Sequence, residues 1–119
     1  MSTKYVITFL NCTENGNETT DKNSQSVIAF VTGVIAKSAK GRNFDLDNCT
    51  GYSVWGMYKG IPETSFRLEY ISSVPADYMK ECALWIKGFY NQESVLLETY
   101  RNDSYKAELI FSAERVEKL

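Results

Sequence analysis

A chain of 119 residues with 13 basic and 15 acidic side chains, a formal charge of −2 and no histidine is one domain's worth of sequence, long enough to bury roughly two-thirds of the surface its unfolded form exposes. Its charges are spread along the chain and leave no basic stripe to follow a duplex backbone, so duplex DNA is not an expected partner. Without histidine, Ser-His-Asp and Cys-His catalysis and the common histidine metal sites are excluded. The three cysteines, Cys12, Cys49 and Cys82, lack the Cys-x-x-Cys spacing of a thiolate zinc site, and no metal or cofactor is expected.

Lys4–Leu10 alternates Tyr5, Ile7 and Phe9 with Val6, Thr8 and Leu10. Both sets are largely apolar, the pattern of a strand in the middle of a sheet. Asn11–Ser24 is polar and reads as a loop. From Ser24, Val27, Ile28, Val31, Val34 and Ile35 recur at helical spacing, with Asn23 or Ser24 to cap the start and Gly41 to end it. After a polar stretch up to Thr50, Tyr52–Tyr58 and Thr64–Ile71 read as a hairpin joined through Lys59–Glu63. In its second strand, Phe66, Leu68 and Tyr70 oppose Arg67 and Glu69.

Pro75 opens a second helix, whose apolar face is Tyr78, Cys82, Trp85, Ile86 and Phe89. The short junction Asn91-Gln92-Glu93-Ser94 leads into the strand Ser94–Tyr100. A turn at Arg101–Ser104 and a last strand, Tyr105–Phe111, follow. There is no apolar export segment and no apolar run of about 18 residues, so a cytoplasmic protein without a membrane partner is expected. The Asn-x-Ser/Thr triplets at Asn11, Asn17, Asn48 and Asn102 then read as loop formers.

The order β-α-β-β-α-β with an added C-terminal strand predicts an α+β fold: a ferredoxin-like plait, two helices on one face of an antiparallel sheet. The whole chain, 1–119, is expected to form a single domain with polar loops at 11–24 and 41–50 and a tail at 112–119. Gly51-Tyr52-Ser53-Val54-Trp55-Gly56, Glu63-Thr64-Ser65 and Gln92-Glu93-Ser94-Val95-Leu96 together resemble a family of small bacterial ferredoxin-like proteins of unknown function. The resemblance spans about residues 50–98 and rests on Trp55, Glu63, Gln92 and Glu93. It implies the plait and no reaction.

No phosphate-binding glycine motif is present, and Asp45 and Asp47 lack the partners of a calcium loop. One sheet face is left without helices. Trp55, Tyr58 and Tyr100, with Arg67, Lys106 and Gln92, are the candidate ligand-binding residues there, a stacking platform with cations beside it. An apolar open face also predicts self-association. The expected function is an oligomeric, non-catalytic module that sequesters a small polar ligand such as a nucleotide signal, in a phage or mobile-element setting. One alternative is an inhibitor that blocks a host protein through the 11–24 loop. Another is a dimeric plait enzyme with Glu63 or Glu93 as general base.

Overall fold

The computed structural model describes residues 3–10, 21–46, 48–58, 60–112 and 116–119, with the side chains of 21–24, 55–58 and 61–63 outside that description. The elements are β1 (Thr3–Leu10), α1 (Asp21–Gly41), β2 (Cys49–Tyr58), β3 (Ile61–Ser72), α2 (Ala76–Phe89), β4 (Val95–Arg101) and β5 (Ser104–Ile110). They build one antiparallel five-stranded sheet in the order β2-β3-β1-β4-β5. This is the ferredoxin-like plait, with β5 added beside β4.

β1 is central because its odd-numbered side chains complete the core. Tyr5, Ile7 and Phe9 stand opposite Tyr70, Leu68 and Phe66 of β3, and Ile7 also stands opposite Leu97 of β4. All are buried, together with Val31, Ile35 and Ala39 of α1 and Met79, Cys82, Ala83 and Ile86 of α2. The apolar periodicities of the strands and helices therefore meet in one layer. Phe9 anchors its end, with ring centroids 5.4 Å from Phe66 and 5.8 Å from Tyr90. Burial pushes the Cys82 thiol up to about 12, which leaves it an inert core group.

α1 lies against β2 where Gly51 removes a side chain. A Cβ there would stand 2.6 Å from Cγ2 of Ile28, closer than packed carbons approach. α2 starts after Pro75 and is tied to α1 by the Tyr78 hydroxyl, which donates to Oγ of Ser38 at 2.9 Å. Past α2, Asn91 takes a φ of 51°, and the Gln92 N–H donates to the Lys87 carbonyl at 2.9 Å. Oε1 of Gln92 then accepts the Leu10 N–H at 2.9 Å. The junction thus ends the helix and fastens the last residue of β1.

Element boundaries differ most from the sequence reading at the starts of α1, β2 and β3. α1 begins at Asp21, so residues 21–24 of the expected 11–24 loop are helical, and residues 11–20 lie outside the described residues. β2 starts at Cys49 because Cys49, Thr50 and Gly51 find partners in Tyr70, Glu69 and Leu68 of the longer β3. Tyr58 already pairs with Ile61, so the hairpin closes before Pro62 and Glu63, and Gly60 takes a φ of 78°, a value glycine adopts without strain. Pro62 joins β3 opposite Met57. It sits beyond Ser65, the last β3 residue that β1 reaches, so its missing N–H costs no bond to the central strand. In the tail, Val116 and Leu119 pack against the core.

Candidate functional site

The even-numbered residues of β1 face away from the helices, and the register places their neighbours rung by rung. Val6 has Glu69 of β3 on one side and Glu98 of β4 on the other. Lys4 is flanked by Ile71 and Tyr100, and Thr8 by Arg67 and Leu96. Farther out, Tyr52 of β2 stands opposite Arg67, and Tyr105 of β5 opposite Tyr100. The centre of this face is therefore polar. The exposed apolar side chains Ile71, Tyr105 and Leu109 form its borders.

Val6 is fully buried although no helix covers it. Long polar side chains close over it instead, their aliphatic stems against the apolar floor. Lys4 Nζ lies 3.0 Å from Oε1 of Glu69 and 5.3 Å from the Tyr100 ring centroid. Arg67 Nη2 lies 3.4 Å from Oε1 of Glu98. The other Glu98 oxygen accepts the Tyr105 hydroxyl at 2.6 Å and the Tyr100 hydroxyl at 3.1 Å, and the two tyrosine rings are 4.8 Å apart.

Two carboxylates thus flank one valine, each held by cations and tyrosine hydroxyls. The hydrogen bond from Lys4 leads the causes that hold the Glu69 carboxyl below its ordinary range, with Tyr52 adding another, and the same Glu69 contact raises Lys4. Glu98 is only 9% exposed, and its hydrogen bond to Tyr105 pushes that phenol up to about 12. Because this lies above the ordinary tyrosine value of about 10, the bond contributes stability in full below about pH 10 and loses it as pH rises through the folded value. In an ultraviolet pH titration, Tyr105 and the buried Tyr78 are both expected to ionise near 12, and Glu98→Gln, which removes the negative charge beside Tyr105, is expected to shift one of the two toward 10. Identical titration curves for the two proteins would show that the Glu98 carboxylate does not act on Tyr105 in solution.

Of the residues singled out from sequence, Arg67 and Tyr100 lie on this face. Lys106 does not. It stands opposite Thr99, on the side of the sheet that carries the helices, and pairs with Glu108, which also meets Lys80 of α2. The strict alternation that sends Tyr105 to the open face sends Lys106 through to the other. Gln92 is buried and spends its carbonyl on the Leu10 N–H, an architectural role. Trp55, Tyr58 and Glu63 are in the β2–β3 ladder opposite Thr64, Ile61 and Gly56, but their side chains are outside the described residues. Glu93 is exposed at one end of the face. There it lines a cavity of about 160 Å³ with Thr8, Phe9, Leu10, Ser65, Ser94 and Leu109.

Sequence reasoning missed Glu69 and Glu98 as a pair, and Lys4, Tyr52 and Tyr105 as their partners. One signal was available: Glu98 interrupts the apolar run Val95-Leu96-Leu97, and an acid in an otherwise buried strand demands partners. Among the described residues no group of three or more His, Cys, Asp or Glu side chains could hold a metal ion, and no helix is long and apolar enough to cross a membrane.

The chain is thus a ferredoxin-like plait that carries two tethered carboxylates on its helix-free face. No family model matches it, and no curated protein matches it in sequence. It is similar in fold to a phage SAM lyase in complex with S-methyl-5'-thioadenosine, with a TM-score of 0.67 and 15% identity over 93% of this chain and 90% of that one. It is likewise similar to a phage SAM lyase in the apo state, with a TM-score of 0.61 and 14% identity over 96% and 92% of the two chains.

Proposed function

We propose that this chain is a phage-type protein that binds SAM (S-adenosylmethionine) on its helix-free face and releases S-methyl-5'-thioadenosine from it. One observation carries the reading: Glu69 and Glu98 flank Val6 on a single rung, on the uncovered face of a fold shared along more than nine-tenths of this chain with proteins that handle this compound. SAM is a sulfonium, a permanent cation with little hydration. Carboxylates and the faces of Tyr100 and Tyr105 are the groups that attract such a cation. As the bond from sulfur to the γ-carbon of the amino-acid chain breaks, its electron pair stays on sulfur and a neutral thioether departs, while an oxygen of the ligand's own carboxylate forms the new bond to that carbon and closes a lactone. In the transition state positive charge spreads from sulfur toward that carbon, and two carboxylates on opposite sides of Val6 can meet it. Tyrosine, lysine and arginine hold them in place before the ligand arrives, so little reorganisation is needed.

A flat sheet face cannot enclose such a ligand, since binding sites bury most of a small molecule's surface. A second copy of the chain, seated on the apolar borders formed by Ile71, Tyr105 and Leu109, supplies the other wall in this reading.

Incubating the protein with SAM and separating the products by liquid chromatography tests it. S-methyl-5'-thioadenosine is the expected product. SAM that is retained by the protein but recovered intact would instead mark a non-catalytic sponge, and SAM that is neither retained nor changed overturns the reading.

A further inference from the structure

Two polar atoms on the open face are buried without a hydrogen-bond partner among the described residues: Oγ1 of Thr8 and Nε of Arg67. They belong to residues directly opposite each other in the β1–β3 ladder. Buried polar groups are paired almost everywhere in folded proteins, so two on one rung mark a place that something else completes. Thr8 also lines the 160 Å³ cavity, whose wall includes the hydroxyl-bearing Ser65 and Ser94 and the carboxylate-bearing Glu93. That volume corresponds to about five water molecules at ~30 Å³ each.

We propose that this cavity takes the amino-acid head of the ligand, with its carboxylate on the Thr8 hydroxyl, beside the cavity wall where Arg67 stands on the same rung, and its ammonium toward Glu93. The inference rests on the reading of the face given above and adds what that reading lacks, a site that tells SAM from its product. Three features support it. The charges are those of a zwitterion: a donor end at Thr8 and Arg67 and an acceptor end at Glu93, whose carboxylate would repel a simple anion. The spacing fits as well. Thr8 is two residues along β1 from Val6, about 6.7 Å, and the methionine carboxylate reaches about 5 to 6 Å from sulfur through four extended bonds. A sulfonium over the Glu69-Val6-Glu98 rung therefore sets its carboxylate over the Arg67-Thr8 rung. Finally, Arg67 links the two subsites, since Nη2 meets Glu98 while Nε stays without a partner.

The test compares S-adenosylhomocysteine with S-methyl-5'-thioadenosine by calorimetric titration. Both carry an uncharged sulfur, and only the first has the amino-acid head. The first is expected to bind at least about tenfold more tightly, and Thr8→Val, which keeps the shape and removes the hydroxyl, is expected to bring that ratio down toward one. Glu93→Gln, a change at an exposed side chain, should also narrow it. Thr8→Val is further expected to raise Tm by a few degrees, because it replaces a buried unpaired hydroxyl with a methyl group. Equal binding of the two compounds by the wild-type protein, or a ratio that both variants leave intact, overturns this subsite and leaves the broader reading standing. A fall in Tm for Thr8→Val also overturns it, by showing that the hydroxyl has a structural partner. If neither compound nor SAM binds, the broader reading itself is overturned.

Discussion

Glu98→Gln is expected to reduce release of S-methyl-5'-thioadenosine from SAM by about 100-fold or more while leaving the fold intact. The magnitude is that of removing one fixed electrostatic group from a site where charge moves during reaction. The substitution preserves size and hydrogen-bonding shape, so Tyr100 and Tyr105 can still donate to the remaining carbonyl oxygen. What disappears is the anion that faces Arg67 and, in the proposed reading, the sulfonium. Initial rates of product formation at saturating and at low SAM, set beside far-ultraviolet circular dichroism, measure the effect. A Glu98→Gln protein that retains the wild-type rate would remove Glu98 from the chemistry and shift attention to Glu69. The same comparison for Glu69→Gln distinguishes an essential pair from a single essential acid.

Phe66→Ala is expected to cost about 3–5 kcal/mol of folding stability, the largest stability effect anticipated for one residue of the sheet. Phe66 is fully buried. It packs edge-on to Phe9 with ring centroids 5.4 Å apart, directly opposite Phe9 in the β1–β3 ladder. Removing the ring leaves a cavity beside Phe9, which on its other contact stacks against Tyr90. Against a total of about 5–15 kcal/mol for a domain of this size, such a loss leaves little margin. Chemical denaturation of both proteins, with the midpoint and slope fitted separately, measures it. A loss below about 1 kcal/mol would mean that the strands rearrange to refill the space.

The fold was readable because its signals are local and repeated. Lys4–Leu10 is apolar in both alternations, the two helices have uninterrupted apolar stripes, and both hairpin turns carry residues suited to positive φ, Gly60 and Asn102. The limits of elements were harder to read, since they depend on partners. Cys49–Gly51 joins the sheet only because β3 is long enough to receive it.

The site was less legible for a related reason. Arg67, Glu69 and Glu98 meet across three strands that are far apart in sequence, and only the register of β1 with both neighbours brings them together. Tyr105, Ala107 and Leu109 show why alternation alone misleads. On most strands the more apolar set faces the covered side, but on β5 it faces away from the helices, and Lys106 and Glu108 lie toward them. At this edge Glu108, on the helix side, meets both Lys80 of α2 and Lys106, so the charged residues there have partners.

The closure of Val6 by charged side chains makes the two sides of the sheet answer to different solvents. Helix-side packing is apolar and hardly feels ionic strength, whereas the Lys4–Glu69 pair is partly exposed and weakens as added salt screens it. High salt should therefore loosen the open face while the domain stays folded. In the proposed reading, the same separation lets ligand preference change through Lys4, Thr8, Glu69 or Glu98 without disturbing the hydrophobic layer beneath the helices. A fold shared at 15% identity is compatible with such independence.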